Sequence, residues 1–203
     1  MVVTCYPPTI PVRTTAPTLV QEPVTVDEAR LQCSIAGDHH DPYLRSLITA
    51  AREQVEKDAA IACYTGEYKF KKTVWSEYGR DWFELNLKPI TAITAITYVD
   101  TAGTTQTWAS TEYSLDTFTV VPVVKLAYSE VWPTIRGDIN GITVTATAGY
   151  ATVAAIPQRI KQACLLLVNH WFGPGRDIVG QVGTEIARTY DDLINGIKRH
   201  TYS

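Results

Sequence analysis

The sequence lacks the segments that would attach a chain to a membrane. Its longest uninterrupted apolar run, Ala163 to Val168, is far shorter than the roughly 20 residues that a membrane-spanning helix needs. The N-terminus does not carry a charged region followed by an apolar one, as a secretory signal would. We therefore expect a soluble intracellular protein without membrane association.

Cysteine is scarce. Cys5, Cys33, Cys63 and Cys164 lie far apart and include no C-x-x-C pair, which argues against a zinc ribbon and against a thioredoxin-like motif. We expect reduced, cytosolic thiols. Cys33 and Cys164 lie on apolar helix faces, and both are predicted to be buried and free.

The chain has no excess of positive charge. It has 18 Lys and Arg residues and 21 Asp and Glu residues, a formal net charge of -3. The net charge of the whole chain therefore does not favour sequence-independent binding to nucleic acid. The 203 residues are 45% hydrophobic and 19% charged, which is the composition of an ordinary globular protein. This length suits one domain, or one domain with a large insertion.

Residues 1–24 are rich in proline. Because proline fixes φ and removes a backbone donor, this segment is predicted to be an extended arm. One interpretation is a disordered tail; the other is an arm that lies on a neighbouring molecule, with Pro7, Pro8 and Pro11 at the interface. The prolines of this segment are Pro7, Pro8, Pro11, Pro17 and Pro23.

Residues 25–64 carry two helical patterns. Thr25 and Glu28 have the spacing of a capping box and predict a short helix that begins there. Asp41 as N-cap, followed by Pro42, predicts the start of a longer amphipathic helix. The apolar face of that helix contains Leu44, Leu47, Ile48, Ala51, Val55, Ala59 and Ala62, and its polar face contains Arg45, Arg52, Glu53, Glu56 and Lys57.

Residues 65–150 alternate in the manner of antiparallel strands separated by Gly, Asp, Asn and Pro. Within them the stretch PITAITAITYVDTAG, residues 89–103, spaces isoleucines three apart, which fits neither a regular strand nor a helix. We interpret this spacing as a register shift caused by a bulge. The stretch from Asp100 to Gly103 is predicted to close a hairpin whose return strand is Thr105 to Trp108.

The last part of the chain returns to helical periodicity. Residues 151–173 contain a helix stopped by Gly173, and residues 174–203 are interpreted as a hinge followed by a C-terminal docking helix. The apolar stripe of that helix is a candidate interface; the alternative is that the helix folds back as a fourth member of the bundle. The stripe consists of Ile186, Tyr190, Leu193, Ile194 and Ile197.

These patterns predict an α+β protein. Helices within 25–64 and 151–173 form a small bundle, the antiparallel β region 65–150 is inserted between them, and an amphipathic helix follows at the C-terminus.

No constellation of catalytic residues is evident in the sequence. The cluster from Asp38 to Asp41, which includes His39 and His40, has the residue types of a divalent metal site. Adjacent residues in a loop rarely converge on one ion, so we predict a solvated helix entry there, with a hydrolase as the rival hypothesis. We therefore expect no enzyme activity, no cofactor and no metal.

The five tryptophans could stack on bases or sugars, which would make the chain a carbohydrate- or nucleic-acid-binding module. Because they lie on separate segments without interleaved Lys and Arg, core packing is the favoured interpretation. They are Trp75, Trp82, Trp108, Trp132 and Trp171.

In the order of its segments, the chain resembles the head-tail connector family, also called adaptor or head completion proteins, of tailed bacteriophages and gene transfer agents. The resemblance covers roughly residues 24–173; Cys33 departs from it, standing where a larger aliphatic residue is usual. The segments that carry it are VTVDEAR at 24–30, DHHD at 38–41 with LITAARE at 47–53, PITAITAITYVDTAG at 89–103, Trp132-Pro133 with ITV at 142–144 and AGY at 148–150, and Ile156-Pro157 with LLLVNHWF at 165–172.

The resemblance implies a structural virion protein at the head-tail interface, assembled in the host cytoplasm. Its copies would form a ring of about twelve below the portal protein, joining the portal to a stopper or tail-completion protein. DNA would pass through the ring without sequence-specific binding.

Overall fold

The structure, a computed structural model, describes residues 11–14, 21–76, 79–119, 121–173 and 182–197, with the backbone alone for 182–187. The chain divides into two compact units. The helical unit comprises residues 19–64 and 150–203, and the β unit comprises residues 1–18 and 65–149. The described elements confirm the α+β class and include a C-terminal helix.

The helical unit contains α1 (Val26–Gln32), α2 (Asp41–Ala59), α3 (Gln158–Phe172) and α4 (Val182–Asn195). The capping box predicted for α1 is confirmed, since the Glu28 amide donates to the Thr25 hydroxyl and the Thr25 amide donates to the Glu28 carboxylate. The largest fully buried side chains of its core are Val24, Leu44, Ile48, Val55, Ile160 and Ile194.

The start of α2 differs from the prediction. His40, not Asp41, is the N-cap, and it makes no side-chain capping bond. Asp41 is the first helical residue, and its carboxylate accepts from Arg30 of α1, with Nε at 2.7 Å from Oδ1. The sequence predicted that the Asp41 carboxylate would cap a backbone amide of α2. In the structure it accepts hydrogen bonds from the Arg30 guanidinium on α1 instead.

The β unit contains two antiparallel sheets. The larger has the order β1 (Val12–Arg13), β2 (Gly66–Lys72), β8 (Ile142–Ala148), β4 (Ile90–Val99) and β5 (Thr105–Trp108). The smaller has the order β3 (Trp82–Glu84), β7 (Val123–Leu126) and β6 (Tyr113–Asp116).

Strand β4 explains the isoleucines spaced three apart. Its register against β8 shifts twice, between Ile90 and Ala92 and between Ile93 and Ala95. Each shift inserts one extra residue, so Ile90, Ile93 and Ile96 oppose Ala148, Ala146 and Val144, which alternate regularly on the inner face of β8. The predicted register shift is confirmed, as is the hairpin that pairs β4 with β5.

An aromatic cluster fills the β unit. Trp75 lies nearly parallel to Trp132, with ring centroids 5.5 Å apart, and is 5.0 Å from the ring of Trp108. Phe83 lies against Trp75 and Trp132. Trp75 and Trp108 are buried in the core, as predicted, whereas Trp132 is half-buried against them and Trp82 is half-buried beneath the guanidinium of Arg80.

The indole of Trp75 also forms a hydrogen bond to the loop between β7 and β8. Its Nε1 donates to the Pro133 carbonyl at 2.8 Å. Replacing Trp75 by Phe should leave that carbonyl without its partner and open a small gap, lowering the free energy of unfolding by about 1–3 kcal/mol. Urea titration followed by circular dichroism measures this loss. In the control variant Trp82→Phe the change should stay within about 0.5–1 kcal/mol, and an equal loss in both variants would contradict the role given to the Trp75 indole.

Candidate assembly interface

The stripe predicted on α4 lies against the helical unit of its own chain. Ile194 is fully buried there, and Tyr190, Leu193 and Ile197 are half-buried against the same core. The side chain of Ile186 lies outside the described residues. For the isolated chain, the structure has the fold-back arrangement, so use of this stripe at an interface stays a prediction.

A hydrogen bond ties α4 to α2. The Tyr190 hydroxyl donates to Asp58 Oδ2 at 2.8 Å. Burial, reinforced by the Asp58 carboxylate, raises the pKa of Tyr190 well above its usual value. The hydroxyl therefore remains a neutral donor at physiological pH, and releasing α4 would break this bond as well as the apolar contacts.

A second polar cluster surrounds Arg52, which is only 8% exposed. Its Nε lies 3.0 Å from Glu22 Oε2, and its Nη1 lies 2.7 Å from Glu56 Oε2. Glu22 also accepts from the Tyr64 hydroxyl at 2.9 Å and from the Thr49 hydroxyl at 2.9 Å. One arginine thus joins the segment before α1, the middle of α2 and the end of the connection after α2.

Arg52 remains positively charged although its side chain is nearly buried. Burial alone lowers the pKa of Arg52, but the carboxylates of Glu56 and Glu22 outweigh it, so the net pKa is raised. Arg52 was placed on the polar face of α2, and the structure buries its side chain there. Its spacing of four from Glu56 was visible in the sequence, but Glu22 lies 30 residues away and no local pattern points to it.

In the cluster from Asp38 to Asp41, the side chains of Asp41 and His40 contact other groups of the protein. Asp41 is paired with Arg30, whose hydrogen bonds lower the pKa of that carboxyl. His40 contacts the Phe172 ring edge-on at a centroid distance of 5.4 Å. Within the described ranges no group of three or more His, Cys, Asp or Glu side chains could hold a metal ion.

The N-terminal arm reaches the edge of the larger sheet. Val12 opposes Lys69 and Arg13 opposes Tyr68 in an antiparallel pair, and Pro11 before them is half-buried. The predicted interface residues Pro7 and Pro8 lie outside the described residues. The Val12 side chain is 60% exposed.

The described cysteines are free. Cys63 and Cys164 are buried as free thiols, whereas Cys33, predicted to be buried, is half-buried. Burial raises the pKa of Cys164 to about 12, and burial together with Glu56 raises that of Cys63 further. Cys5 lies outside the described residues.

We expect a thiol reagent at pH 8 to modify Cys33 well before Cys63 and Cys164, because only the thiolate reacts and burial suppresses it. Peptide mapping after timed alkylation measures the order. Above the ordinary thiol pKa of 9.0 the unfolded chain releases protons that these folded thiols keep, so stability should fall as pH rises through that region. Rapid labelling of Cys164 in the folded protein would contradict its burial.

No helix in the described part of the chain is long and apolar enough to cross a membrane. The fold is that of a two-unit α+β protein. Asp41 and Tyr190 form hydrogen bonds between its helices, and Arg52 joins α2 to the segment before α1.

A sequence model of the head completion protein family matches residues 22–177, and the chain belongs to this family. The resemblance drawn from the sequence is confirmed. A comparison with curated proteins finds no match.

Three solved structures share the fold. A chain from the neck of an empty gene transfer agent (GTA) particle, computed with C6 symmetry, is 20% identical with a TM-score of 0.74. A chain from the neck of a native GTA particle, computed with C12 symmetry, is 22% identical with a TM-score of 0.71. A chain from the virion of a native GTA particle is 21% identical with a TM-score of 0.73. Each alignment covers 96% of this chain and 97% of the other.

Proposed function

We propose that this head completion protein is a head-tail connector subunit of a virion. Its copies form a ring of about twelve that joins the portal protein to a stopper or tail-completion protein and continues the channel for DNA. The family match over residues 22–177, together with a fold shared along nearly the whole chain with neck subunits, supports this proposal. The role is structural and requires no catalysis, cofactor or metal.

The necks to which the chain is similar were computed with C12 and C6 symmetry, which favours a cyclic assembly over an isolated subunit. A ring of identical copies needs two different surfaces on each copy, one for each neighbour. We assign the N-terminal arm, including Pro7, Pro8 and Pro11, to the contact between copies.

We assign α4 to the portal. Docking through Tyr190, Leu193, Ile194 and Ile197 requires α4 to leave the core that covers these side chains in the isolated chain and to exchange the Tyr190 to Asp58 bond for contacts with the portal. An apolar groove that accepts a helix with this stripe would compensate for the lost burial.

DNA passes through the ring without sequence-specific contacts. The net charge of -3 disfavours tight binding to phosphates, which would hinder a sliding duplex. The carbohydrate- or nucleic-acid-binding alternative is not favoured, since the faces of Trp75, Trp108 and Trp132 are occupied by one another.

Native mass spectrometry of the chain mixed with portal protein from the same particle tests the connector function. We expect a complex with about twelve copies of this chain, and none when the portal is replaced by an unrelated ring of similar size. A mixture that contains only monomers, or salt-sensitive DNA binding without any assembly on the portal, would contradict the proposal.

A further inference from the structure

The outer edge of β2 holds a short segment of the N-terminal arm. Val12 and Arg13 pair with Lys69 and Tyr68, and the Thr14 amide then donates to the Glu67 carbonyl at 2.9 Å. β2 spans seven residues, and β1, in the described part of the arm, pairs with two of them. The edge of β2 is therefore a strand-addition surface that this segment of the arm uses.

Side-chain contacts fit this edge to the sequence of the arm. The guanidinium of Arg13 lies over the Tyr68 ring, 5.7 Å from its centroid. A Cβ on Gly66 would lie 3.1 Å from Arg13 Nε, so the absence of a side chain at Gly66 leaves room for the arginine. The edge therefore recognises more than an extended backbone.

Thr14 adds a second side-chain contact. Its hydroxyl lies 3.2 Å from both the carbonyl and the Oε1 of Glu67. Together, Gly66, Glu67 and Tyr68 form what we call the arm socket, and Pro11 to Thr14 form its ligand.

The arm is also the part of the β unit that another copy could supply most readily. In the described part of the arm its strand has two residues, and every contact described above can form identically with Pro11 to Thr14 of a second chain. The covalent link from Thr14 to Gln21 can extend to about 23 Å. If two copies exchange their arms, all of these contacts between Pro11 to Thr14 and β2 are therefore kept.

We propose that in the assembled ring Pro11 to Thr14 of each copy occupies the arm socket of the neighbouring copy. This inference rests on the proposed ring. Each copy then donates one strand and receives one, a head-to-tail contact that closes when the rotation closes. The exchanged strand links each copy to its neighbour, which raises their local concentration and stabilises the ring. The same contact within one copy contributes nothing to assembly.

Cysteine pairing tests the exchange. Val12 and Lys69 are directly opposite, so their Cα atoms lie about 4.5–5.5 Å apart, within the range that a disulfide between V12C and K69C can span. The two single variants, each carrying Cys5→Ser and a distinct tag, are produced together in cells that assemble particles. The isolated necks are oxidised mildly and mapped by mass spectrometry.

We expect a disulfide between V12C of one tagged chain and K69C of the other, at about a quarter of the junctions for random mixing. The control pair is V12C with T107C, since Thr107 is exposed on β5 at the opposite edge of the sheet, and it should give no such disulfide. Rings without the mixed V12C to K69C disulfide would overturn the exchange.

A double variant with V12C and K69C in one chain keeps the test independent of mixing. Exchange predicts a ladder of covalent multimers from oxidised rings, whereas an arm that stays with its own copy predicts only monomers with an internal disulfide. If the wild-type chain forms no ring at all, the connector function fails; if rings form and only internal disulfides appear, the exchange fails and the connector function stands.

Discussion

Replacing Arg52 by alanine is expected to lower the free energy of unfolding of the helical unit by about 3–5 kcal/mol. The change removes a nearly buried cation and leaves Glu22 and Glu56 close together without it. Both carboxylates are themselves largely covered, with side chains 21% and 18% exposed. Two unpaired negative charges in that position repel each other and cannot regain full hydration.

Urea unfolding monitored at 222 nm by circular dichroism measures the effect. Arg45 is an exposed arginine on the same helix, so Arg45→Ala is the matched control and should change the free energy by no more than about 0.5 kcal/mol.

A neutral replacement of the whole cluster separates charge from packing. In the triple variant E22Q/R52M/E56Q no unpaired charge remains, and most of the stability lost in Arg52→Ala should return. Similar losses in Arg52→Ala and Arg45→Ala would show that the Arg52 cluster does not hold the helical unit together.

The second large effect is expected at α4. Replacing Ile194 by alanine should lower the free energy of unfolding of the isolated chain by about 2–5 kcal/mol, because the side chain is fully buried and its removal leaves a cavity beside α3. Thermal unfolding of the isolated chain measures this loss as a lower melting temperature.

The control for Ile194 lies two residues earlier on the same helix. Asp192 is exposed, and Asp192→Ala should leave the melting temperature within a few degrees of the wild type. A loss below about 1 kcal/mol for Ile194→Ala would mean that α4 does not belong to the core of the isolated chain, which would leave its stripe open for the portal.

Features fixed by near neighbours could be predicted from the sequence. The capping box depends on Thr25 and Glu28, three residues apart, and it forms as predicted. The spacing of Ile90, Ile93 and Ile96 required extra residues in a strand, and the double register shift of β4 supplies them. In both cases the residues that carry the pattern lie a few positions apart, although the strand against which β4 shifts, β8, is distant in the chain.

Predictions failed where a distant group competed for a side chain. Asp41 has the residue type and position of an N-cap, but Arg30 reaches it from α1. Arg52 lies among charged residues of α2, but Glu22 and Tyr64 enclose it from segments far away in sequence. Helical periodicity assigns a residue to a face; it does not say which face another segment covers.

The sequence by itself determined the α+β class, the order of helices and strands and the register shift of β4, because periodicity and capping act between residues close in the chain. The resemblance to the connector family rests on the order of the quoted segments. Only the tertiary structure decided that α4 packs on its own helical unit, that Arg52 is buried between carboxylates and that the arm pairs with the edge of β2. The physical reason is that burial and ion pairing depend on which distant surfaces meet, and an amphipathic stripe or an open strand edge accepts many partners with similar local chemistry.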